Sequence, residues 1–243
     1  MHKVLKQALK QAVKWQILNR NPCDAVEPPK KNKSQTEILD ENHIETLLNA
    51  CKDTQVYLPV FLAVTTGMRR AEIAGLRWSD VDYENKMIYI KNSLQRINGE
   101  LTLVPTKTDR SRRAIALLDM VAKTLKQYKV LHAKNKLMLG EEYQDLDFVC
   151  AWPDGRPTSC DYITNEFVKL RDKLDIPKIR FHDLRHTHAT LLLKMGVNPK
   201  IVQERLGHST ISTTMDIYSH ALPEMQKEAA EKLEEKLFSR KVK

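Results

Sequence analysis

The chain has 243 residues, of which 42% are hydrophobic and 29% charged, so it can bury a core as one large domain or two small ones, and wholesale disorder is excluded. Its net charge of +9 and pI near 9.3 favour a polyanionic partner. Four cysteines without a CxxC pair argue against a disulfide framework and favour a reducing, cytoplasmic setting, and no apolar stretch is long enough to span a bilayer.

The first segment of the chain is basic. Residues 3–18 carry apolar side chains at helical spacing with a lysine-rich outer face, which predicts an amphipathic helix. Residues 19–33, NRNPCDAVEPPKKNK, are rich in Pro, Asn and Lys and are typical of a linker. Up to residue 33 the chain has eight Lys or Arg against two acids, a net +6. One helix and a basic linker cannot bury a core alone.

A second unit follows, with helices at both ends of a short region of strands. Asp40 is a predicted N-cap, and residues 57–82 predict two helices broken at Thr66-Gly67. Three strands are predicted at 87–91, 100–105 and 112–117, with a hairpin turn at Asn98-Gly99 between the first two. Further helical patterns cover 119–134, 161–174, 182–195, 199–207, 209–220 and 222–238. The predicted fold class is α+β, mainly helical, with a small three-stranded antiparallel sheet.

The stretch FHDLRHTHAT, residues 181–190, concentrates histidine, aspartate and arginine before an apolar helix. On a helix, His182 and His186 are spaced as zinc ligands are, but a third ligand is missing and Arg185 would repel the ion. Arg185 suits a phosphate better, because a guanidinium binds phosphate oxygens in pairs and stays charged. The residues alone leave a phosphate site, a metal site and an ordinary polar helix start open.

Other segments supply complementary chemistry. TGMRRAE, residues 66–72, places Arg69 after a glycine turn, with Glu72 three residues further on to brace it. Lys107 lies in a basic connection where it can protonate a leaving oxygen, and LGH at 206–208 precedes Tyr218 by ten residues counted from His208. Tyrosine is a weak nucleophile at its normal pKa, but it can attack a phosphodiester that is clamped by cations. Each feature alone also fits an ordinary surface ion pair, a solvated lysine or a packed tyrosine.

Their order along the chain, TGMRRAE, TK, HDLR, LGH and then Tyr, resembles the tyrosine recombinase (phage integrase) family over residues 1–220, most closely the integrases of conjugative transposons and temperate phages. The resemblance implies that Arg69 and Arg185 clamp the scissile phosphate, His182 acts as acid or base, Lys107 protonates the 5′ oxygen, His208 binds a phosphate oxygen and Tyr218 is the nucleophile. Glu72 would support this cluster. His188, where the family often has an aromatic or apolar residue, is interpreted as packing or making a polar contact.

The same resemblance implies a domain plan and partners. Residues 1–33 would be the C-terminal remnant of a core-binding domain plus linker, with most of that domain absent, 34–220 the catalytic domain and 221–243 a tail helix. The expected function is a site-specific DNA recombinase that needs no cofactor and no metal, acts on double-stranded DNA in the bacterial cytoplasm, and assembles as a tetrameric synapse through the tail helix, with an accessory excision factor. Candidate DNA-binding residues are Arg70, Lys30, Lys31, Lys33, Arg110 and Arg112. The alternatives are a type IB topoisomerase and a non-catalytic DNA-binding regulator.

Overall fold

The computed structural model describes residues 2–28, 37–106, 112–212, 214–215, 217 and 233–234. The chain divides into two units, residues 1–35 and residues 36–243. The predicted domain plan, which separates residues 1–33, 34–220 and 221–243, stays a prediction. The predicted tail helix lies outside the described residues apart from 233 and 234.

The smaller unit contains one helix, α1 (His2–Lys14), and a short 3-10 turn at Pro22–Ala25. The Asn21 side chain caps that turn by accepting a hydrogen bond from the backbone N–H of Cys23 at 3.0 Å. Asn21 also donates to the carbonyl of Lys6 at 3.0 Å, and Lys6 pairs with Asp24 at 2.8 Å. None of the α1 residues is buried, which agrees with the expectation that this segment has no core of its own.

The larger unit contains seven helices within the described ranges. They are α2 (Glu41–Cys51), α3 (Tyr57–Thr66), α4 (Arg70–Ala74), α5 (Asp119–Leu139), α6 (Cys160–Arg171), α7 (Asp183–Lys194) and α8 (Pro199–Leu206). The predicted N-cap of α2 is confirmed, because an Asp40 carboxylate oxygen accepts from the His43 N–H at 2.8 Å. α3 is buried on nearly every side and packs against α7, so these two helices form the centre of the unit.

Five strands form two small antiparallel sheets. The three-stranded sheet has the order β1 (Val81–Asp82), β2 (Met87–Ile90) and β5 (Arg113–Ala116), and β2 and β5 pair in register with Ile88 opposite Ile115. The two-stranded sheet pairs β3 (Asn92–Ile97) with β4 (Glu100–Pro105). The fold class and the small three-stranded antiparallel sheet are therefore confirmed, together with the mainly helical character.

The strands of the sheets differ from the prediction. The three-stranded sheet contains β1 (Val81–Asp82), from a segment predicted to be helical, and the strand predicted at 100–105 pairs with β3 in the other sheet. The Asn98-Gly99 turn joins β3 to β4, and not the strand at 87–91 to the strand at 100–105. β3 was not predicted because its sequence, NSLQRI, buries only Leu94 and lacks the apolar alternation that marks a strand. The second helix predicted within residues 57–82 is shorter than expected, because α4 ends at Ala74 with Gly75 as its C-cap. The rest of that range contains a 3-10 turn at Trp78–Asp80 and strand β1.

Candidate active site

The turn between α3 and α4 places Arg69. Gly67 ends α3 in the left-handed conformation, with φ of +67°, which a residue without a side chain adopts readily. Arg69 is the N-cap of α4, and Glu72 closes the first turn by accepting from the Arg69 backbone N–H at 2.8 Å. The Arg69 guanidinium donates to Glu72 Oε1 at 2.7 Å and to the Gly207 carbonyl at 2.7 Å. Arg69 therefore links the start of α4 to the end of α8.

The start of α7 places Arg185. Asp183 fixes the first turn by accepting from the Arg180 backbone N–H at 2.7 Å and from its guanidinium at 2.9 Å. Arg185 follows Asp183 by two residues and is only 3% exposed. Its guanidinium donates to the carbonyl of Gly67 at 2.7 Å and to the carbonyl of Leu206. Both candidate clamp arginines thus reach the carboxyl end of α8.

His208 is the second residue after α8, and it is buried beside the same arginines. Its Nδ1 lies 2.9 Å from the Thr214 hydroxyl, and its backbone N–H donates to the Gln203 carbonyl at 3.1 Å. Burial, followed by the positive charges of Arg185 and Arg69, lowers the pKa of His208 to about 3. His208 is therefore neutral at physiological pH and can give or accept a hydrogen bond without carrying charge.

His182 is the N-cap residue of α7 and is exposed. Its ring meets the ring of His186 edge to face, with centroids 5.2 Å apart. Partial burial, followed by the neighbouring His186 and Arg185, lowers the pKa of His182 to about 4. Among the described residues, no group of three or more His, Cys, Asp or Glu side chains is arranged to hold a metal ion.

The cluster contains one residue that the sequence analysis missed. Arg113 of β5 binds both carboxylate oxygens of Glu72, at 3.0 and 2.8 Å, and donates from Nε to the Arg205 carbonyl at 2.7 Å. Burial alone would raise the pKa of Glu72, but the bonds and charges of Arg113 and Arg69 hold it below its usual value. The signal was present in the strand pattern: Arg113 shares a face with the buried Ile115, so its side chain points inward.

The candidate DNA-binding residues are not all at this cluster. Arg112 lines a cavity of about 340 Å³ beside His208, together with Arg113, Lys200, Gln203, Glu204 and Gly207. Arg70 turns away to α6, where it donates to the Thr164 hydroxyl. Six of the predicted site residues lie outside the described residues: Lys107, Tyr218, Lys30, Lys31, Lys33 and Arg110.

His188 makes the contacts that its interpretation required. It is 6% exposed and its Nδ1 lies 2.7 Å from the Val64 carbonyl. Its Nε2 accepts from Nε of Arg205 at 3.2 Å, and Arg205 also donates to the carbonyls of Ala116 and Thr65. This pair joins α8 to α3, α7 and β5, so it supports the position of the helix end that the arginines share.

The charge of the cluster is suited to an anion. Arg69, Arg185 and Arg113 supply three guanidinium charges, and Glu72 removes one, which leaves two net positive charges around a partly buried site. Guanidinium groups bind phosphate oxygens in pairs and keep their charge, whereas the neutral His208 adds a hydrogen bond. The arrangement can therefore bind a phosphoryl group and stabilise negative charge that develops on it.

Comparison with solved structures places this fold in a class. The described fold is that of tyrosine recombinase catalytic domains: a Tn1549 transposon integrase in complex with transposon right end DNA superposes with a TM-score of 0.74 at 24% identity, over 96% of this chain and 77% of that one. The chain belongs to the phage integrase family, whose model matches residues 37–225.

Two relatives of known sequence are integrases. The ICEBs1 integrase of Bacillus subtilis (strain 168) is 28% identical over 228 residues, which cover 93% of this chain and 62% of that protein. The integrase of Staphylococcus phage L54a is 31% identical over 260 residues, covering 96% of this chain and 73% of that protein. The chain thus spans a little under two thirds of the ICEBs1 integrase. In the described part of the chain, no helix is long and apolar enough to cross a membrane.

Proposed function

We propose that this chain is a site-specific DNA recombinase that breaks and rejoins DNA through a covalent tyrosine intermediate. The observation that carries the proposal is the meeting of Arg69, Arg185 and His208 at the carboxyl end of α8. His208 precedes Tyr218 by ten residues. Membership of the phage integrase family supports the same reaction. Residues 34–220 would form the catalytic domain, and residues 1–33 the end of a core-binding domain that contributes its basic linker to DNA binding.

The reaction would proceed as follows. The Tyr218 hydroxyl oxygen attacks the scissile phosphorus while His182 accepts its proton, and the bond between phosphorus and the 5′ oxygen breaks. Lys107 donates a proton to that oxygen, which leaves a 3′-phosphotyrosyl bond and a free 5′ hydroxyl. Arg69 and Arg185 balance the charge of the phosphoryl group during attack, and His208 hydrogen-bonds one of its oxygens. Because the phosphotyrosyl bond conserves the energy of the original bond, the reverse steps rejoin a strand without a cofactor or a metal.

The test is covalent trapping. The purified chain is incubated with a random library of nicked duplexes, in which the fragment after the cut diffuses away and rejoining is prevented. Protein–DNA adducts are isolated under denaturing conditions, and the bound DNA is sequenced. We expect an adduct with wild type and none with Tyr218→Phe, which removes only the nucleophilic oxygen. An adduct of equal yield with the phenylalanine variant, or no adduct with any library member, would contradict the proposal.

The DNA sequence found in the adduct distinguishes the recombinase from the two alternative functions. A selected sequence with paired inverted repeats supports recombination, whereas supercoil relaxation without sequence selection would indicate a type IB topoisomerase. DNA binding without any adduct would indicate a regulator. Each of these three functions requires binding to double-stranded DNA, which the basic character of the chain favours. Arg112 and Lys200 line a cavity next to His208, and phosphate contacts dominate the affinity of protein–DNA interfaces.

Assembly and control are part of the same proposal. The apolar stripe of residues 222–238 would dock on a neighbouring protomer, so that four copies form the synapse on DNA. An accessory excision factor would set the direction of the reaction, and efficient excision by the purified chain alone would contradict that part. The origins of the two relatives described above, Bacillus subtilis and a Staphylococcus phage, support a place of action on nucleoid DNA in the bacterial cytoplasm.

A further inference from the structure

Arg113 is built into the cluster through every nitrogen of its guanidinium. Its Nη atoms donate to Glu72 Oε1 and Oε2 at 3.0 and 2.8 Å, and its Nε donates to the Arg205 carbonyl at 2.7 Å. The side chain is 6% exposed and the Glu72 side chain 4%. A paired arrangement of this kind, between a planar guanidinium and a carboxylate, fixes orientation as well as charge. Arg113 therefore holds Glu72 and the end of α8 in one frame.

Arg69 makes a second bridge between the same two elements. It joins Glu72 to the Gly207 carbonyl, just as Arg113 joins Glu72 to the Arg205 carbonyl. Arg185 binds the carbonyl between them, that of Leu206. Three consecutive carbonyls at the end of α8 thus accept from three arginines. The last carbonyls of a helix lack partners within the helix and carry its partial negative charge, so they attract and orient cations.

The effect on Arg69 follows from the charge of Glu72. A buried carboxylate with Arg69 as its one cationic partner would form a neutral pair, and the Arg69 guanidinium would be held against it. Arg113 occupies both oxygens, while Arg69 uses one of them through its side chain and the other through its backbone N–H. With two cations around one carboxylate, a net positive charge remains for an anion.

We propose that Arg113 is a positioning residue for DNA cleavage: it neutralises Glu72 and holds the carboxyl end of α8, so that the charge of Arg69 stays available to the scissile phosphate. This proposal rests on the proposed function for its effect on DNA. The effect of Arg113 on the Arg69 side chain does not require DNA, so this effect and the effect on DNA cleavage are measured separately.

The cleavage test compares Arg113→Met, which keeps the length but removes the charge and the donors, with Arg113→Lys, which keeps only the charge. The measured quantity is the single-turnover rate constant for adduct formation at saturating protein, with DNA affinity determined in parallel. For a group that orients a phosphate ligand, we expect about a hundredfold loss in the methionine variant and about tenfold in the lysine variant, with affinity changed by about threefold or less. A methionine variant within about threefold of wild type would overturn the proposal.

Two further variants separate positioning from general destabilisation. Arg171 is another arginine with a mostly buried side chain, which donates to the Ile179 carbonyl at 2.6 Å and pairs with Asp172. The variant Arg171→Met should cleave DNA at the wild-type rate below its unfolding temperature. The double variant Glu72→Gln, Arg113→Met removes the carboxylate together with its counterion. It should cleave faster than Arg113→Met alone, because Arg69 is no longer neutralised. A double variant no faster than the single one would contradict the charge argument.

The measurement without DNA is nitrogen NMR of the arginine side chains, with the Arg69 signal assigned from Arg69→Lys. In Arg113→Met we expect the Arg69 Nε signal to shift, because its guanidinium turns fully onto Glu72. An unchanged signal would overturn the positioning role whether or not wild type forms an adduct. A shifted signal together with no adduct from wild type would instead refute the proposed function. If Arg113→Met does not fold, both measurements are made on Arg113→Lys. An unshifted Arg69 signal together with a wild-type rate of adduct formation in that variant overturns the proposal.

Discussion

Replacing Gly67 by alanine tests how tightly the site is built into the core. A Cβ at this position would lie 2.5 Å from Cδ2 of Leu206 and 2.6 Å from Cδ2 of His188, both closer than real contacts allow. The backbone also has φ of +67°, where a side chain costs about 1 kcal/mol. Overpacking of a close-packed region adds about 1 to 3 kcal/mol, so we expect the free energy of unfolding to fall by about 2 to 4 kcal/mol.

Gly196 provides the matched control. It has φ of +79°, but no heavy atom of the described residues lies within 4 Å of its added Cβ. Gly196→Ala should therefore lose only the backbone part, about 1 kcal/mol. Urea unfolding followed by circular dichroism gives both values from the shift in midpoint at constant slope. Equal losses in the two variants would refute the reasoning, because the close approach of Leu206 and His188 is what distinguishes them.

Two further predictions concern acid sensitivity and assembly. Burial and the charge of Arg205 lower the pKa of His188 to about 4, so as pH falls from about 6.5 the unfolded chain binds a proton before the folded chain does, and stability should decrease by about 3 kcal/mol by pH 4. Urea midpoints measured from pH 7 to pH 4 check this, and a His188→Phe variant that declines as steeply as wild type would contradict it. Deleting residues 222–243 should impair strand exchange more than binding of a single site in a gel-shift assay, since the stripe is proposed to join protomers. Equal loss of both would argue against docking between protomers.

Local signals in the sequence predicted much of the fold. Asp40 before an apolar-periodic run predicted the start of α2, and Gly67 predicted the break between α3 and α4, because each residue has a specific backbone role. Asn98-Gly99 predicted a turn with positive φ at both positions, which the structure has. The turn alone did not identify its strands. β3 escaped prediction because a mostly polar strand carries no periodic signal, although its partner β4 follows directly after the Asn98-Gly99 turn.

The candidate site was predictable to the extent that its residues occur in ordered motifs. Arg69, Arg185 and His208 stand in such motifs, and the structure brings them to one helix end. Arg113 was overlooked because an arginine at the start of a short strand, next to a basic connection, is usually solvated, and its partner Glu72 lies 41 residues away in the sequence. Only the inward face of β5, set by Ile115, distinguishes Arg113 from its neighbour Arg112, which is exposed.

The partners of each arginine determine how much of its charge a ligand can use. Arg180 is paired with the carboxylate of Asp183, which raises the pKa of Arg180 and cancels its charge locally. Arg185, two residues after Asp183, donates to the carbonyls of Gly67 and Leu206. These carbonyls satisfy its N–H groups without a formal negative charge, and burial, followed by the neighbouring Arg69, lowers the pKa of Arg185 to about 9. Because a buried cation without a carboxylate of its own is costly in the free protein, an incoming phosphate would relieve that cost on binding. The helix end at Leu206 therefore orients Arg185 and leaves its charge for the ligand, which a carboxylate in the same place would not do.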